Sequence, residues 1–310
     1  MTGIAAAAWD FVATPLSYGF MQRALLVALL TGAVCAVLSC YLVLKGWSLM
    51  GDAVSHAVLP GIVIASALGL PLALGAFAAG LFCAVATGYL KDNSRVKEDT
   101  VMGIVFSGMF GLGLVLFTKV DTDQHLLHIL FGNMLGVTAR DLVETAIVAG
   151  ITLAVVLAKR RDLLLYCFDP KHARAIGLPV QWLHYGLLVL LSLTIVASLK
   201  AVGVILVVAM LVAPGATAYL LTRRFERMLI VAAAVAMLSS VLGTLVSFHI
   251  NGSTGPCIVL VQAAIFAIVL LQDQLIRRRR GGPDPRPAPA RSARGGEPAG
   301  NGCGTRPSEA

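Results

Sequence analysis

The chain has 310 residues, of which 58% are hydrophobic and 13% charged, with a mean hydropathy of +0.85. Soluble domains carry about 25% charged residues, so this composition excludes an ordinary globular protein and describes a polytopic membrane protein. The net charge of +8 gathers at 91–97, 159–161, 171–174, 223–227 and 277–280, a pattern of cytoplasmic loops and not of a nucleic-acid surface.

Several apolar stretches reach the roughly 20 residues that cross a hydrocarbon core. A backbone there must satisfy its own hydrogen bonds, so the fold class is all-α, a polytopic membrane helical bundle. The first span covers 20–44; with no basic region before it, it reads as a span and not as a cleavable signal. The second, 51–68, precedes a Gly-Leu-Pro turn at 69–71, and the third covers 72–90. A charged inner loop, 91–99, leads to a fourth span at 100–117, an outer segment at 119–138 and a fifth span at 139–158. The longest inner loop, 159–181, holds a short helix within 169–179. Pro170 suits its first turn, Gly177 its C-terminal cap and Pro179 a stop. Apolar sequence from 182 to 221 divides into two spans near 198–203, where Lys200 interrupts it. A further span reaches Phe248, an outer turn occupies 249–256, and the last span ends near Gln272. The count is eight or nine transmembrane helices, and an odd count places the N-terminus outside. By domains, 1–19 is an N-terminal segment, 20–275 the transmembrane domain and 276–310 a disordered Arg/Pro-rich cytoplasmic tail near anionic headgroups.

Chemistry concentrates at Asp52 and His56, in Gly-Asp-Ala-Val-Ser-His-Ala-Val-Leu-Pro-Gly at 51–61. At i, i+4 on a helix the two share a face. A carboxylate in a bilayer costs about 2.5–3.5 kcal/mol even on the lenient insertion scale, so such a residue is a functional candidate. Two readings of the pair stay open on the residues alone: helix–helix glue, or a transport or metal site. One helix supplies two ligands, whereas a two-fold dimer would present two Asp and two His around a central path. Mixed oxygen and nitrogen ligation without thiolates suits Mn(II) or Fe(II) and tolerates Zn(II). Protonating His56 would compete with the metal, so transport should weaken in acid.

The outer segment holds Asp121, Asp123, His125 and His128, candidates for a metal-collecting mouth, with a solvated amphipathic segment as the competing reading. His249 stands alone beside an outer turn, and His172 and His184 on the inner side read as structural. The six cysteines include no C-x-x-C and read as small packing residues. No H-E-x-x-H, G-x-S-x-G or Walker A loop is present. The chain therefore reads as no enzyme, and any ATP-driven step belongs to another polypeptide.

Six fragments in order resemble the permease subunit of the ABC-3 family, the ABC transporters of manganese, zinc or iron. They are 51–61, Arg-Val-Lys-Glu-Asp-Thr at 95–100, Leu-Phe-Gly-Asn-Met-Leu at 130–135, 169–179, 202–214 and Gly-Ser-Thr-Gly-Pro at 252–256. The resemblance covers about 20–275 and omits the Asp121–His128 run and the tail. It implies a homodimeric or pseudo-dimeric pore in the cell membrane, two cytoplasmic ATPase subunits and an extracytoplasmic metal-binding protein. It also implies that Asp52 and His56 ligate the transported ion, with no permanently bound cofactor. Asp169 to Pro179 looks like the ATPase-coupling helix, with Ala173 and Gly177 at the small positions that pack into the partner. The form His-Ala-Val-Leu-Pro-Gly favours manganese as cargo, zinc as its competitor and iron third. The rival class is an ATP-independent secondary transporter or channel using Asp52 as its ion carrier.

Overall fold

The computed structural model describes residues 13–15, 17–96, 98–119 and 134–279. Eleven principal helices follow in order: α1 Gly19–Lys45, α2 Met50–Ala67, α3 Leu72–Asp92, α4 Glu98–Phe117, α5 Ala139–Ala158, α6 Arg160–Phe168, α7 Pro170–Ala175, α8 Val180–Val202, α9 Val204–Leu221, α10 Phe225–Ile250 and α11 Thr254–Arg279. A 3-10 turn, Met134–Gly136, precedes α5. Among the described residues nine helices are long and apolar enough to cross a membrane, all except α6 and α7. Residues Met1–Asp273 form one compact unit; of the second, Gln274–Ala310, residues 274–279 are helical.

The helix ends follow local chemistry. Gly46 adopts a left-handed φ of 76°, and the Trp47 amide donates back to the Leu42 carbonyl at 2.8 Å, a Schellman-type stop for α1. Thr138 and Asp141 close a reciprocal capping box at the start of α5. The interruption within 198–203 lies at Gly203, whose φ is 79°, and not at Lys200. Lys200 stays helical and places Nζ 3.6 Å from Glu144 Oε2 of α5. A long side chain can snorkel out of an apolar helix, but only glycine accepts that backbone geometry cheaply. The loop 159–181 holds two helices instead of one short one, because 160–168 is helical as well. The last span runs past Gln272 as helix to Arg279, so the first basic residues of the expected tail are helical.

In lipid there is little hydrophobic drive between helices, so close approach of small residues does much of the holding. α2 and α3 meet backbone to backbone at Gly61 and Gly75. A Cβ on Gly61 would lie 2.1 Å from the Gly75 carbonyl oxygen, and one on Gly75 would lie 2.2 Å from that of Gly61. α9 meets α1 in the same way, with Gly215 against the Ser39 backbone at 2.7 Å. Several buried hydroxyls satisfy themselves on their own helices: Thr31 donates to the Val27 carbonyl, Ser55 to Gly51 and Thr217 to Ala213, each at 2.7 Å. Large fully buried side chains come chiefly from α1 (Leu38, Tyr41, Leu42) and α8 (Leu187, Leu188, Leu191, Ile195, Leu199), which form the centre of the first unit. Among the described residues the five cysteines are free. Burial pushes the Cys167 thiol in α6 up to about 12, which makes it an inert packing group.

The Gly61–Gly75 contact leaves no room for a side chain. Gly61→Val is expected to destabilise the protein by at least about 1–3 kcal/mol, the usual range for overpacking. Gly103→Ala, where a Cβ meets nothing within 4 Å, should be neutral. Unfolding midpoints in detergent check both, and equal midpoints for the two variants would refute the close-packing role.

Candidate metal centre

α2 starts immediately after the break that the stop at Gly46 creates, and Asp52 lies in its first turn. The free amides of a helix N-terminus present positive potential to a carboxylate there, which lowers the cost of holding it inside the bundle. His56 follows one turn later. Its Nδ1 lies 3.0 Å from the Asp52 carbonyl oxygen and 3.2 Å from Asp52 Oδ1. A carbonyl can only accept, so in the neutral ring Nδ1 carries the proton and Nε2 keeps its lone pair. The pair thus orients itself, with an imidazole nitrogen and a carboxylate oxygen left available as donors.

Of residues 50–63 only Asp52 and His56 escape burial, their side chains being 39% and 34% exposed. The other faces of α2 are packed by its neighbours. On α9, Leu211 Cδ1 would lie 3.0 Å from a Cβ at Gly51, so a side chain just before Asp52 would require Leu211 to shift. On α4, Gly113 receives Pro60, whose Cδ would lie 2.9 Å from a Cβ there. Pro60 also has no N–H to give the His56 carbonyl, which loosens the helix directly after the pair. Two further α4 side chains flank the imidazole: Phe110, edge-on at 5.5 Å, and Phe106, tilted at 6.1 Å. These aromatic walls were not predicted. Their only signal is the i, i+4 spacing of two Phe in an apolar span, which ordinary core residues share.

Among the described residues no third His, Cys, Asp or Glu joins the pair. Asp121, Asp123, His125 and His128 lie outside the described residues. The donors present, one carboxylate and one imidazole per chain, fit a divalent first-row metal as far as they go. They complete a coordination shell only with donors from elsewhere.

The other expected site is α7. Asp169 caps it, accepting from the Lys171 amide at 2.9 Å and the His172 amide at 3.0 Å. Those bonds, first that of His172, hold the Asp169 carboxyl below its ordinary range. Pro170 occupies the first turn, and Gly177 turns the chain with a φ of 85°. Pro179 stands at the entrance to α8. Ala173 is fully covered by this chain, whereas Lys171, His172, Arg174, Ile176 and Gly177 are exposed.

Residues 17–273 match the family model described as the ABC 3 transport family. The chain belongs to that family. Over 267 residues it is 66% identical to the chelated iron transport system membrane protein YfeD of Yersinia pestis, covering 86% of this chain and 90% of the relative. It is 51% identical to the manganese transport system membrane protein MntB of Synechocystis, covering 89% of this chain and 92% of the relative. Its fold resembles a chain of PsaBC from Streptococcus pneumoniae, solved in complex with Fab. The TM-score is 0.77 at 38% identity, over 87% of this chain and 99% of that one. An ABC 3 membrane component is therefore the frame in which Asp52 and His56 are read.

The tautomer is directly observable. In histidine-selective 15N spectra of the purified protein, the neutral His56 ring should show a protonated Nδ1 and an unprotonated Nε2. The opposite pattern would remove the geometric reason for assigning Nε2 as a donor.

Proposed function

We propose that this chain is the membrane-spanning subunit of an ATP-driven importer of a divalent transition metal, with Mn(II) as the cargo. The observation that carries the reading is the single opening in the first part of α2. Every side chain from 50 to 63 is buried except one carboxylate and one imidazole, which are 39% and 34% exposed. A second copy across a two-fold axis would bring two oxygens and two nitrogens to one ion, and its two carboxylates would balance the dication. No thiolate takes part, which disfavours a site built for soft metals.

In this account an extracytoplasmic binding protein releases the ion to the outer face of the pore, and the paired half-sites take it. Asp52 neutralises charge and ligates through oxygen; His56 ligates through Nε2. Two cytoplasmic ATPases grip the exposed residues of α7, with Asp169 fixing the helix start and Ala173 anchoring it to the body of the permease. ATP turnover rocks the two subunits, and the weakened segment between His56 and Pro60 lets the half-sites part so that the ion leaves inward. Fe(II) is the second reading, favoured by the name of the relative at 66% identity. It uses the same donors, because affinity at a mixed oxygen–nitrogen site changes only gradually along the first-row series.

Uptake assays in cells lacking their own manganese and iron importers test this. Asp52→Ala and His56→Ala should each lower metal uptake more than about 10-fold at equal protein level, the scale on which even outer-shell changes act at metal sites. Wild-type uptake in both variants would sink the assignment. Competition of labelled Mn(II) by Fe(II) and Zn(II) ranks the cargo.

A further inference from the structure

On the side of the basic loops lies a half-buried cluster that the metal pair does not use. Lys45, the last residue of α1, holds Nζ 4.1 Å above the ring of Tyr166 in α6. Tyr166 Oη shares a 2.7 Å hydrogen bond with His184 Nδ1 near the start of α8. The His184 ring meets Trp47 edge-on at 5.4 Å, and Trp47 sits in the link between α1 and α2. Room for the imidazole comes from Gly88 of α3, where a Cβ would lie 3.0 Å from His184 Nε2. Tyr166 and Trp47 are 3% and 1% exposed and lie within the packed body of the subunit, whereas Lys45 and His184 are half-buried.

The placement of these residues is what matters. α6 leads into α7 and α8 leaves it, so Tyr166 and His184 hold the two flanks of α7 to each other. Lys45 and Trp47 flank Gly46, where α1 stops, and the chain then runs directly into the first turn of α2 with Asp52. Apolar helix faces can slide, whereas a hydrogen bond and a cation held over a ring are directional and resist separation. We propose that Lys45, Trp47, Tyr166 and His184 form a strap that carries the displacement of α7 to the Asp52–His56 half-site. They are positioning residues, which touch neither metal nor nucleotide. The strap rests on the reading above, that α7 receives the ATPase and the pair receives the ion.

The test uses the whole transporter, with its ATPase and metal-binding protein, in proteoliposomes where ATP hydrolysis and Mn(II) uptake are measured together. Tyr166→Phe keeps the ring under Lys45 and removes the hydroxyl that bonds His184; Lys45→Met keeps an unbranched side chain and removes the charge. Each should keep its ATP hydrolysis while Mn(II) carried per ATP falls about ten-fold, within the range of ordinary coupling energies. Lys45→Arg should restore the ratio, and Mn(II) binding measured without ATP should match wild type in all three. Uptake and hydrolysis falling in proportion, or neither changing, overturns the strap. If both Tyr166→Phe and Lys45→Met lose monodisperse folded protein, the cluster is merely structural and the strap is likewise overturned. Wild-type protein that hydrolyses ATP yet moves no metal overturns the import reading itself, an outcome visible before any variant is made.

Discussion

A carboxylate in a hydrocarbon span costs about 2.5–3.5 kcal/mol or more, and an imidazole beside it must also find partners. Three features of the structure meet that cost at Asp52. The helix begins just before it, so its carboxylate lies at the positive end of the helix dipole; His56 Nδ1 lies beside both its carbonyl and its carboxylate; and the pair is left partly exposed. The remaining faces of the first part of α2 are closely packed, Gly51 on Leu211, Gly113 on Pro60 and Gly61 on Gly75, the last backbone to backbone with no room for a side chain. Close packing on those faces and openness on one hold α2 firmly around the candidate half-site, with Pro60 as its point of give. What the half-site needs is a second half of matching chemistry.

A second helix is built on the same plan. α2 and α9 are both 18 residues long, and each carries an internal Pro-Gly, at 60–61 and 214–215. In each the glycine brings the helix onto a neighbouring backbone, α3 in one case and α1 in the other. Proline removes one hydrogen bond and glycine removes the side-chain barrier, which together allow a bend without loss of packing. Two such helices meeting at Gly51 and Leu211 give the centre of the subunit places to flex beside the candidate ligands.

Much of this was legible in the chain itself, because spans in a bilayer announce themselves by length and composition. The expected second, fifth and first spans begin or end within a residue or two of the observed helices. The misplacements have physical causes. Lys200 looked like an interruption because charge scores against a span, yet its stem is long enough to reach Glu144 while the helix continues to Val202. Residues 160–168 looked like loop because hydropathy registers their arginines and not the burial of Leu163, Tyr166 and Cys167. The family resemblance places Ala173 at a small position that packs into a partner, whereas this chain itself covers Ala173, a neighbour that the sequence does not name. Asp52 and His56 were found because polar residues are rare in such a helix. Phe106 and Phe110 were not, because phenylalanine in an apolar span carries no distinguishing signal.

The central claim is that each chain holds half of a site for one ion. Counting bound Mn(II) against permease chains in the purified assembled transporter, by titration with a spectroscopic readout of free metal, tests it most directly. The account predicts one tightly held ion for every two chains, lost in both Asp52→Ala and His56→Ala. One ion per chain, or an ion that survives both substitutions, would contradict it.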